Sequence, residues 1–146
     1  MPEAIEFSIV VPVYNEAGNA AALAREIAQA MAGRSYEMVF VDDASRDDTR
    51  AELSDLKREI PQLRIVGHRG NAGQSRAVRT GVLAARAPIV GTLDGDGQND
   101  PADLPKLYAR LTRADAPENL CMVGGRRAKR QDSWAKRMGS RIANVV

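Results

Sequence analysis

The chain has 146 residues, of which 44% are hydrophobic and 27% are charged, and its net charge is +2. This composition is typical of a single folded domain and excludes a disordered chain. The small net charge gives no reason to expect nucleic acid as a partner. Cys121 is the only cysteine, which excludes an internal disulfide and favours a reducing compartment. No apolar run approaches the roughly 18 residues needed to cross a bilayer.

The charge is distributed unevenly along the chain. Residues 124–146 hold seven Lys or Arg and one Asp, a balance of +6, so that residues 1–123 carry −4. A basic segment of this kind favours phosphates or an anionic membrane surface. We therefore divide the chain into a core, residues 1–123, and a basic segment, residues 124–146. The helical pattern of residues 140–146 runs to the last residue, so we expect that the chain is truncated at its C-terminus.

Short apolar runs rich in Val and Ile alternate with helical patterns. The runs, which are typical of buried strands, cover residues 7–13, 37–41, 63–67, 89–93 and 120–123. Between them apolar residues recur at helical spacing, as at Leu23, Ile27 and Ala30, and Pro101 marks the start of a further helix. This alternation predicts an α/β fold, a three-layer α/β/α sandwich with a mostly parallel sheet.

Polar side chains follow three of the predicted strands. In chain order they are Asn15, Glu16, Asp42, Asp43, Asp94 and Asp96. The carboxyl ends of parallel strands share one edge of the sheet, and ligands bind outside that edge. Because all but one of these side chains are carboxylates, the pattern predicts a polar binding site there.

The segment LDGDGQNDP, residues 93–101, carries the clearest chemistry. Asp94, Asp96 and Gln98 alternate, so an extended chain would point all three side chains to one side. Three oxygen donors suit a hard cation such as Mg²⁺ or Mn²⁺. An Asp-Gly turn with solvated acids is the alternative.

Three other segments have structural and functional interpretations. In VDDASRDDT, residues 41–49, Asp47 or Asp48 is expected to cap a helix, whereas Asp42 and Asp43 are placed to hold a ribose or a base edge. In VVPVYNE, residues 10–16, we expect Asn15 to cap the next helix.

In GNAGQSRAVRTG, residues 70–81, small residues are expected to let a helix approach the sheet closely. We expect Arg76 and Arg79 to face solvent. His68, the only histidine, is interpreted as a loop residue and not as a catalytic base.

These four segments, in this order and spacing, resemble family 2 glycosyltransferases with the GT-A fold. The resemblance covers nearly the whole chain, and DGDGQ matches the Asp-x-Asp signature of the family with its trailing Gln. The tail, GGRR followed by WAKRMGSRIAN, is similar to the dolichyl- or polyprenyl-phosphate sugar synthases in particular.

The resemblance implies a role for each matching residue. The positions that match the nucleoside pocket are Pro12, Tyr14, Glu16, Val41, Asp43 and Asp94. Asp96 and Gln98 match the metal ligands, and together with Asp94 they form the implied catalytic set. Arg126 and Arg137 match phosphate-binding positions, with Lys136 as the alternative to Arg137.

The resemblance also implies an activity. The expected reaction is the inverting transfer of a sugar from a nucleoside diphosphate to a polyprenyl phosphate, with Mg²⁺ or Mn²⁺ as cofactor. The expected partners are the donor, the lipid phosphate and an anionic membrane surface, with no nucleic acid. The expected location is the cytoplasm, at the cytoplasmic face of a membrane. A sugar hydroxyl as acceptor, or a truncated and inactive nucleotide-binding module, remain the alternatives.

Overall fold

The computed structural model describes residues 4–125. Its four strands are β1 (Phe7–Val13), β2 (Tyr36–Asp42), β3 (Leu63–Gly67) and β4 (Ile89–Thr92). The helices are α1 (Asn19–Ala30), α2 (Thr49–Leu56), α3 (Gln74–Ala84) and α4 (Leu104–Thr112), and a short 3-10 helix, Pro101–Asp103, leads into α4. In the part of the chain described, no helix is long and apolar enough to cross a membrane.

The strands form one parallel sheet in the order β3-β2-β1-β4. The chain builds the sheet outward from β1 to β3 and then returns to the other side of β1 to add β4. This reversal between β1 and β4 is the topological switch point, where open α/β sheets bind their ligands.

Side-chain alternation along the strands divides the core between two faces. Phe7, Ile9 and Val11 of β1 lie in a cluster with apolar residues of α1 and α2, and Leu104 at the start of α4 joins it. Val10 of β1 lies in a second cluster with Val39, Val41 and Ala77, which faces α3. Helices therefore cover both faces, and the predicted three-layer sandwich is confirmed.

A buried carboxylate ties the amino end of the sheet together. Glu37 on β2 accepts hydrogen bonds from Ser8 Oγ, Arg64 Nη1 and the Arg86 backbone N–H, each at 2.7 Å. Burial alone would raise the pKa of Glu37, but these donors hold it below its usual value. The network joins three strands to the segment that follows α3, at the end of the sheet opposite the predicted site.

The predicted fifth strand, residues 120–123, is wrong. These residues have no regular structure in the described range, and the Met122 side chain is 81% exposed. The Leu120 N–H donates to the Pro117 carbonyl at 2.9 Å, which forms a turn. A short apolar run becomes a strand only when it pairs with a neighbour, and the composition of the run does not reveal whether that neighbour is present.

The small-residue face of α3 does allow close packing on the sheet, as the sequence predicted. A Cβ atom placed on Gly81 would lie 2.3 Å from Val10 Cγ1 and 3.0 Å from Val41 Cγ2. Both contacts are with buried, β-branched side chains that have little freedom to move.

We predict that Gly81→Ala destabilises the fold by about 1–3 kcal/mol through overpacking. In an unconstrained helix the same change would stabilise by about 1 kcal/mol. Urea unfolding of the variant against wild type measures the difference. Arg79→Ala, an exposed change on the same helix, is the control and should stay within about 0.5 kcal/mol. A more stable Gly81→Ala variant would show that α3 is not held against the sheet.

Candidate functional site

The residues after β1, β2 and β4 meet at the carboxyl edge of the sheet. The Asp43 N–H donates to the Val13 carbonyl at 2.9 Å, which joins the ends of β1 and β2. A Cβ on Gly95 would lie 2.5 Å from the Pro12 carbonyl oxygen, so the turn after β4 contacts β1. Only glycine permits that approach. The predicted convergence of strand-end acids at one edge is therefore confirmed by the backbone.

Asp42 and Asp43 point to opposite faces of the sheet, as successive strand residues do. Asp42 is 2% exposed and faces α2. Its Oδ1 accepts the Ser45 N–H at 3.0 Å, and its Oδ2 lies 4.0 Å from Arg50 Nη1. Asp43 is 3% exposed and faces the loop that leads into α3.

Asp42 lines a cavity of about 390 Å³ at this edge. Three arginines, Arg46, Arg50 and Arg69, are among its lining residues, and so is Tyr14. The remaining lining residues are Ala44, Ser45, His68, Gly70 and Asn71. Guanidinium groups stack on flat rings and bind phosphates, and a carboxylate accepts N–H donors. The cavity thus has the chemistry to hold a flat, polar ligand that carries negative charge.

The Asp43 carboxylate makes three hydrogen bonds within the protein. Oδ1 accepts the Ala72 N–H at 2.8 Å and lies 2.7 Å from His68 Nδ1, and Oδ2 accepts the Gly73 N–H at 2.8 Å. Burial opposes the charged form, but these hydrogen bonds hold the pKa of Asp43 below its usual value. Asp43 therefore fixes the loop that carries Arg69 into the cavity.

His68 lies in that loop and connects it to α3. Its Nδ1 contacts Asp43, and its Nε2 lies 2.8 Å from Thr80 Oγ1. The interpretation of His68 as a loop residue is confirmed. Both ring nitrogens have partners within the protein, so the ring is a link in a hydrogen-bond chain.

The other residues predicted for the nucleoside pocket lie on or just after the strands. Pro12 and Val41 are buried within β1 and β2, and Val41 packs under α3. The Tyr14 side chain is 43% exposed in the cavity wall. Glu16 Oε2 accepts from Asn19 Nδ2 at 3.1 Å beside the start of α1.

The predicted capping role of Asn15 is wrong. Gly18 occupies the position before α1, and Asn15 Oδ1 instead accepts the Arg46 N–H at 2.8 Å. Asn15 has a positive φ of 52°, a conformation that Asn tolerates better than most residues, which turns its side chain toward the loop after β2.

The Asp-x-Asp segment folds as a turn. β4 ends at Thr92, and a turn follows at Gly95 and Asp96. The extended chain that would place Asp94, Asp96 and Gln98 side by side is therefore absent. The physical reason is that β4 pairs only as far as Thr92, opposite Val10 of the longer β1.

Within this turn the two acids have different surroundings. Asp94 Oδ1 accepts from Gln74 Nε2 at 2.8 Å, and Asn99 Nδ2 lies 3.4 Å from its Oδ2. Asp96 is exposed, and its Oδ1 accepts the Gln98 N–H at 3.0 Å. Gln74 follows Gly73, which binds Asp43, so Asp43 and Asp94 are linked through two adjacent residues at the start of α3.

The donors in this turn fit one mode of metal binding. Among residues 4–125 no three His, Cys, Asp or Glu side chains form a group that could enclose a metal ion. Mg²⁺ is typically held by one or two carboxylates together with substrate phosphates and water, without a complete cage of protein ligands. Asp94, Asp96 and Gln98 supply oxygen donors of that kind.

Arg126, Arg137 and Lys136, which the resemblance assigns to phosphate binding, lie outside the described residues. Arg46, Arg50 and Arg69 line the cavity and were missing from the sequence-based set, whereas Asp42, which also lines it, was expected at the end of β2 to hold a ribose or a base edge. What the alternation of β2 adds is that Asp42 and Asp43, being adjacent, point to opposite faces.

The sequence matches the model of the glycosyl transferase family 2 over residues 8–144. The chain belongs to this family. A dodecaprenyl-phosphate galacturonate synthase of Rhizobium johnstonii is 34% identical over 99% of this chain and 43% of its own length. An undecaprenyl-phosphate 4-deoxy-4-formamido-L-arabinose transferase of an Enterobacter species is 37% identical over 94% of this chain and 41% of its own length. The family 2 chain thus spans about two fifths of these curated relatives.

Solved structures share the GT-A fold. A Pyrobaculum calidifontis mannosyltransferase, in complex with GDP-Man and Mn²⁺, superposes with a TM-score of 0.58 at 26% identity, over 65% of this chain and 28% of that one. TarS of S. aureus in complex with UDP-GlcNAc superposes with a TM-score of 0.57 at 24% identity, over 62% of this chain and 26% of the TarS chain. At that identity the second likeness shows the fold alone.

We predict that Asp43→Asn destabilises the protein by about 3 kcal/mol, because one amide oxygen cannot accept all three donors of a buried site. The folded-state pKa of Asp43 is lowered below 3.8. Its contribution is therefore complete above the unfolded-state pKa and is lost as the pH falls through the folded-state pKa. The deficit of the variant should shrink between pH 7 and about pH 3.

Urea unfolding at several pH values measures this deficit. Asp55→Asn, which removes an exposed acid on α2, is the matched control and should change little at any pH. A deficit that is constant with pH would contradict the ionised hydrogen-bond acceptor described for Asp43.

Proposed function

We propose that the protein transfers a sugar from a nucleoside diphosphate to a polyprenyl phosphate, with inversion at the anomeric carbon. The observation that carries the proposal is the cavity lined by Asp42 and three arginines in a family 2 chain, at the same carboxyl edge of the sheet that carries the Asp94–Asp96 turn after β4. Relatives named for dodecaprenyl- and undecaprenyl-phosphate substrates support the lipid acceptor.

The nucleoside is proposed to occupy the cavity. Asp42 accepts N–H donors of the ligand, and the Tyr14 ring packs beside it. Pro12, Val41 and Asp43 support the pocket from below, since they are buried. Glu16 and Asp94 complete the proposed nucleotide-binding set, with Asp94 directed toward the ribose and diphosphate.

The diphosphate is proposed to lie over the turn after β4. Asp96 and Gln98, with Asp94, would hold Mg²⁺ or Mn²⁺ there, as the Mn²⁺ complex of the mannosyltransferase supports. When bound, the cation would stabilise the negative charge of the departing diphosphate as a Lewis acid. Arg126 and Arg137 are proposed to add positive charge to the same phosphates.

The acceptor decides whether a general base is required. A phosphate oxygen is anionic at neutral pH and attacks without losing a proton. A sugar hydroxyl would need a carboxylate base within hydrogen-bond reach. His68 is committed to Asp43 and Thr80 in the structure, which favours the phosphate acceptor. The basic segment, residues 124–146, is proposed to lie at the cytoplasmic face of the membrane that holds the lipid.

Product analysis of the full-length protein tests this assignment. Radiolabelled nucleotide-sugars are supplied with undecaprenyl phosphate or with an oligosaccharide acceptor, and the products are separated by solvent extraction. Label in the lipid phase supports the proposal. Label on the oligosaccharide supports the hydroxyl-acceptor alternative, and no transfer with retained nucleotide binding identifies an inactive binding module.

We predict that nucleotide binding requires a divalent cation, because the Asp94 and Asp96 carboxylates repel a diphosphate. Calorimetry with UDP and GDP should show affinity at least about tenfold higher with Mn²⁺ than with EDTA, or about 1.4 kcal/mol. Asp96→Ala should abolish the difference. Asp103→Ala, an exposed acid paired with Lys106, should retain it. Equal affinity after chelation would rule out the metal site.

We predict different effects for two parts of the basic segment. Arg126→Ala and Arg137→Ala should weaken nucleotide binding even at high salt, because a closed site is screened less than an exposed face. A Lys129/Arg130 double Ala variant should weaken only the binding to anionic liposomes, by about 1 kcal/mol for each charge. Loss of nucleotide binding in the double variant, with retention in Arg126→Ala, would reverse the assignment.

A further inference from the structure

Four consecutive backbone N–H groups in the turn between β1 and α1 all donate to side chains of the β2–α2 segment. The donors are residues 15–18, and the acceptors in order are Ser45 Oγ (2.9 Å), Thr49 Oγ1 (2.9 Å), Asp47 Oδ2 (3.1 Å) and Glu52 Oε2 (2.6 Å). In return Asn15 Oδ1 accepts the Arg46 N–H. We call this set of hydrogen bonds the turn lock.

Asp47 and Thr49 lie at the centre of the turn lock. Asp47 Oδ1 accepts from the Thr49 N–H at 3.1 Å and from the Thr49 hydroxyl at 2.5 Å, while its Oδ2 accepts from Ala17. The Thr49 hydroxyl is thereby directed to Asp47, which leaves its lone pair facing the Glu16 N–H. Asp47 thus accepts the backbone N–H of the first residue of α2, as expected for one of these two acids at a helix start. The Asp48 side chain makes no capping hydrogen bond.

The turn lock spans the two strained positions of the described backbone. Asn15 has a φ of 52° and Ala44 has a φ of 63°. For Ala, which has no side-chain hydrogen bond to favour it, this left-handed conformation persists only where the surroundings enforce it. The hydrogen bonds of the turn lock supply that enforcement on both segments.

The β2–α2 segment held by the turn lock lines the cavity, and the other segment, residues 15–18, directly follows a lining residue. Tyr14 precedes the first segment, and Ala44, Ser45, Arg46 and Arg50 belong to the second. Asp47 and Thr49 are not among the lining residues of the cavity. Any effect of Asp47 and Thr49 on a ligand in the cavity is therefore indirect, through the lining residues that they hold in place.

We propose that Asp47 and Thr49 are positioning residues that fix the cavity wall for nucleotide binding. The proposal rests on the proposed function, since it assigns the cavity to the nucleoside. It adds that the acidic end of the VDDASRDDT segment acts on binding from outside the cavity. A wall held before the ligand arrives loses less freedom on binding, so the affinity is higher.

The first test compares matched variants of the full-length protein. Asp47→Asn and Thr49→Val should each raise the Kd for nucleoside diphosphate, and the KM for the donor, by about tenfold, with kcat within about twofold. Thr49→Ser keeps the hydroxyl and should restore wild-type affinity. Asp48→Asn removes the neighbouring charge but no hydrogen bond of the turn lock, and should have no effect.

The second test needs no ligand. Amide hydrogen exchange should accelerate at residues 15–18 in Asp47→Asn and Thr49→Val, with the rest of the sheet and Asp48→Asn unchanged. Absence of nucleotide binding in the wild type would refute the proposed function, and exchange would still decide whether the two residues hold the turn. Unchanged exchange, exchange accelerated throughout the chain, or an equal loss of affinity in Asp48→Asn would each overturn the inference.

Discussion

The buried carboxylate of Asp43 holds together the loop between β3 and α3, and the geometry of the candidate site depends on that loop. It is buried at the end of β2, yet it is kept ionised by donors from His68, Ala72 and Gly73. An unpaired charge at this depth would cost several kcal/mol, on the order of 3–5, so the loop must stay closed on it. The position of Arg69 in the cavity and the start of α3 both follow from that requirement.

Because side chains alternate along a strand, the adjacent acids Asp42 and Asp43 point to opposite faces of the sheet. The alternation that divides the apolar residues of β2 between the two core clusters continues to the end of the strand. It places Asp42 on the α2 side, at the cavity, and Asp43 on the α3 side. Two carboxylates that are adjacent in sequence therefore have different partners in the protein. One supports a loop, and the other remains at the cavity surface with an arginine nearby.

The sequence predicted the features that depend on local pattern. Val- and Ile-rich runs gave four correct strands, and the small face around Gly81 gave the close packing of α3. It failed where the outcome depends on a partner distant in the chain. Residues 120–123 have no neighbouring strand in the described range, and the chain after Thr92 turns because its pairing with β1 ends. Asn15 and Thr49 both make hydrogen bonds of the turn lock, and these bonds form only when the turn after β1 packs against the segment after β2.

The carboxyl edge of the sheet carries three arginines in the cavity and two further acids in a different segment, after β4. Arginines rim the cavity after β2 and β3, whereas the acids Asp94 and Asp96 lie after β4. On the proposed function, a ligand with a flat polar end and a diphosphate end would match that division, and a cation would offset the repulsion between the diphosphate and the acids, since like charges at close range repel. Residues 124–146 carry +6 against −4 for the rest, and on the proposed function this segment would supply positive charge to the lipid phosphate.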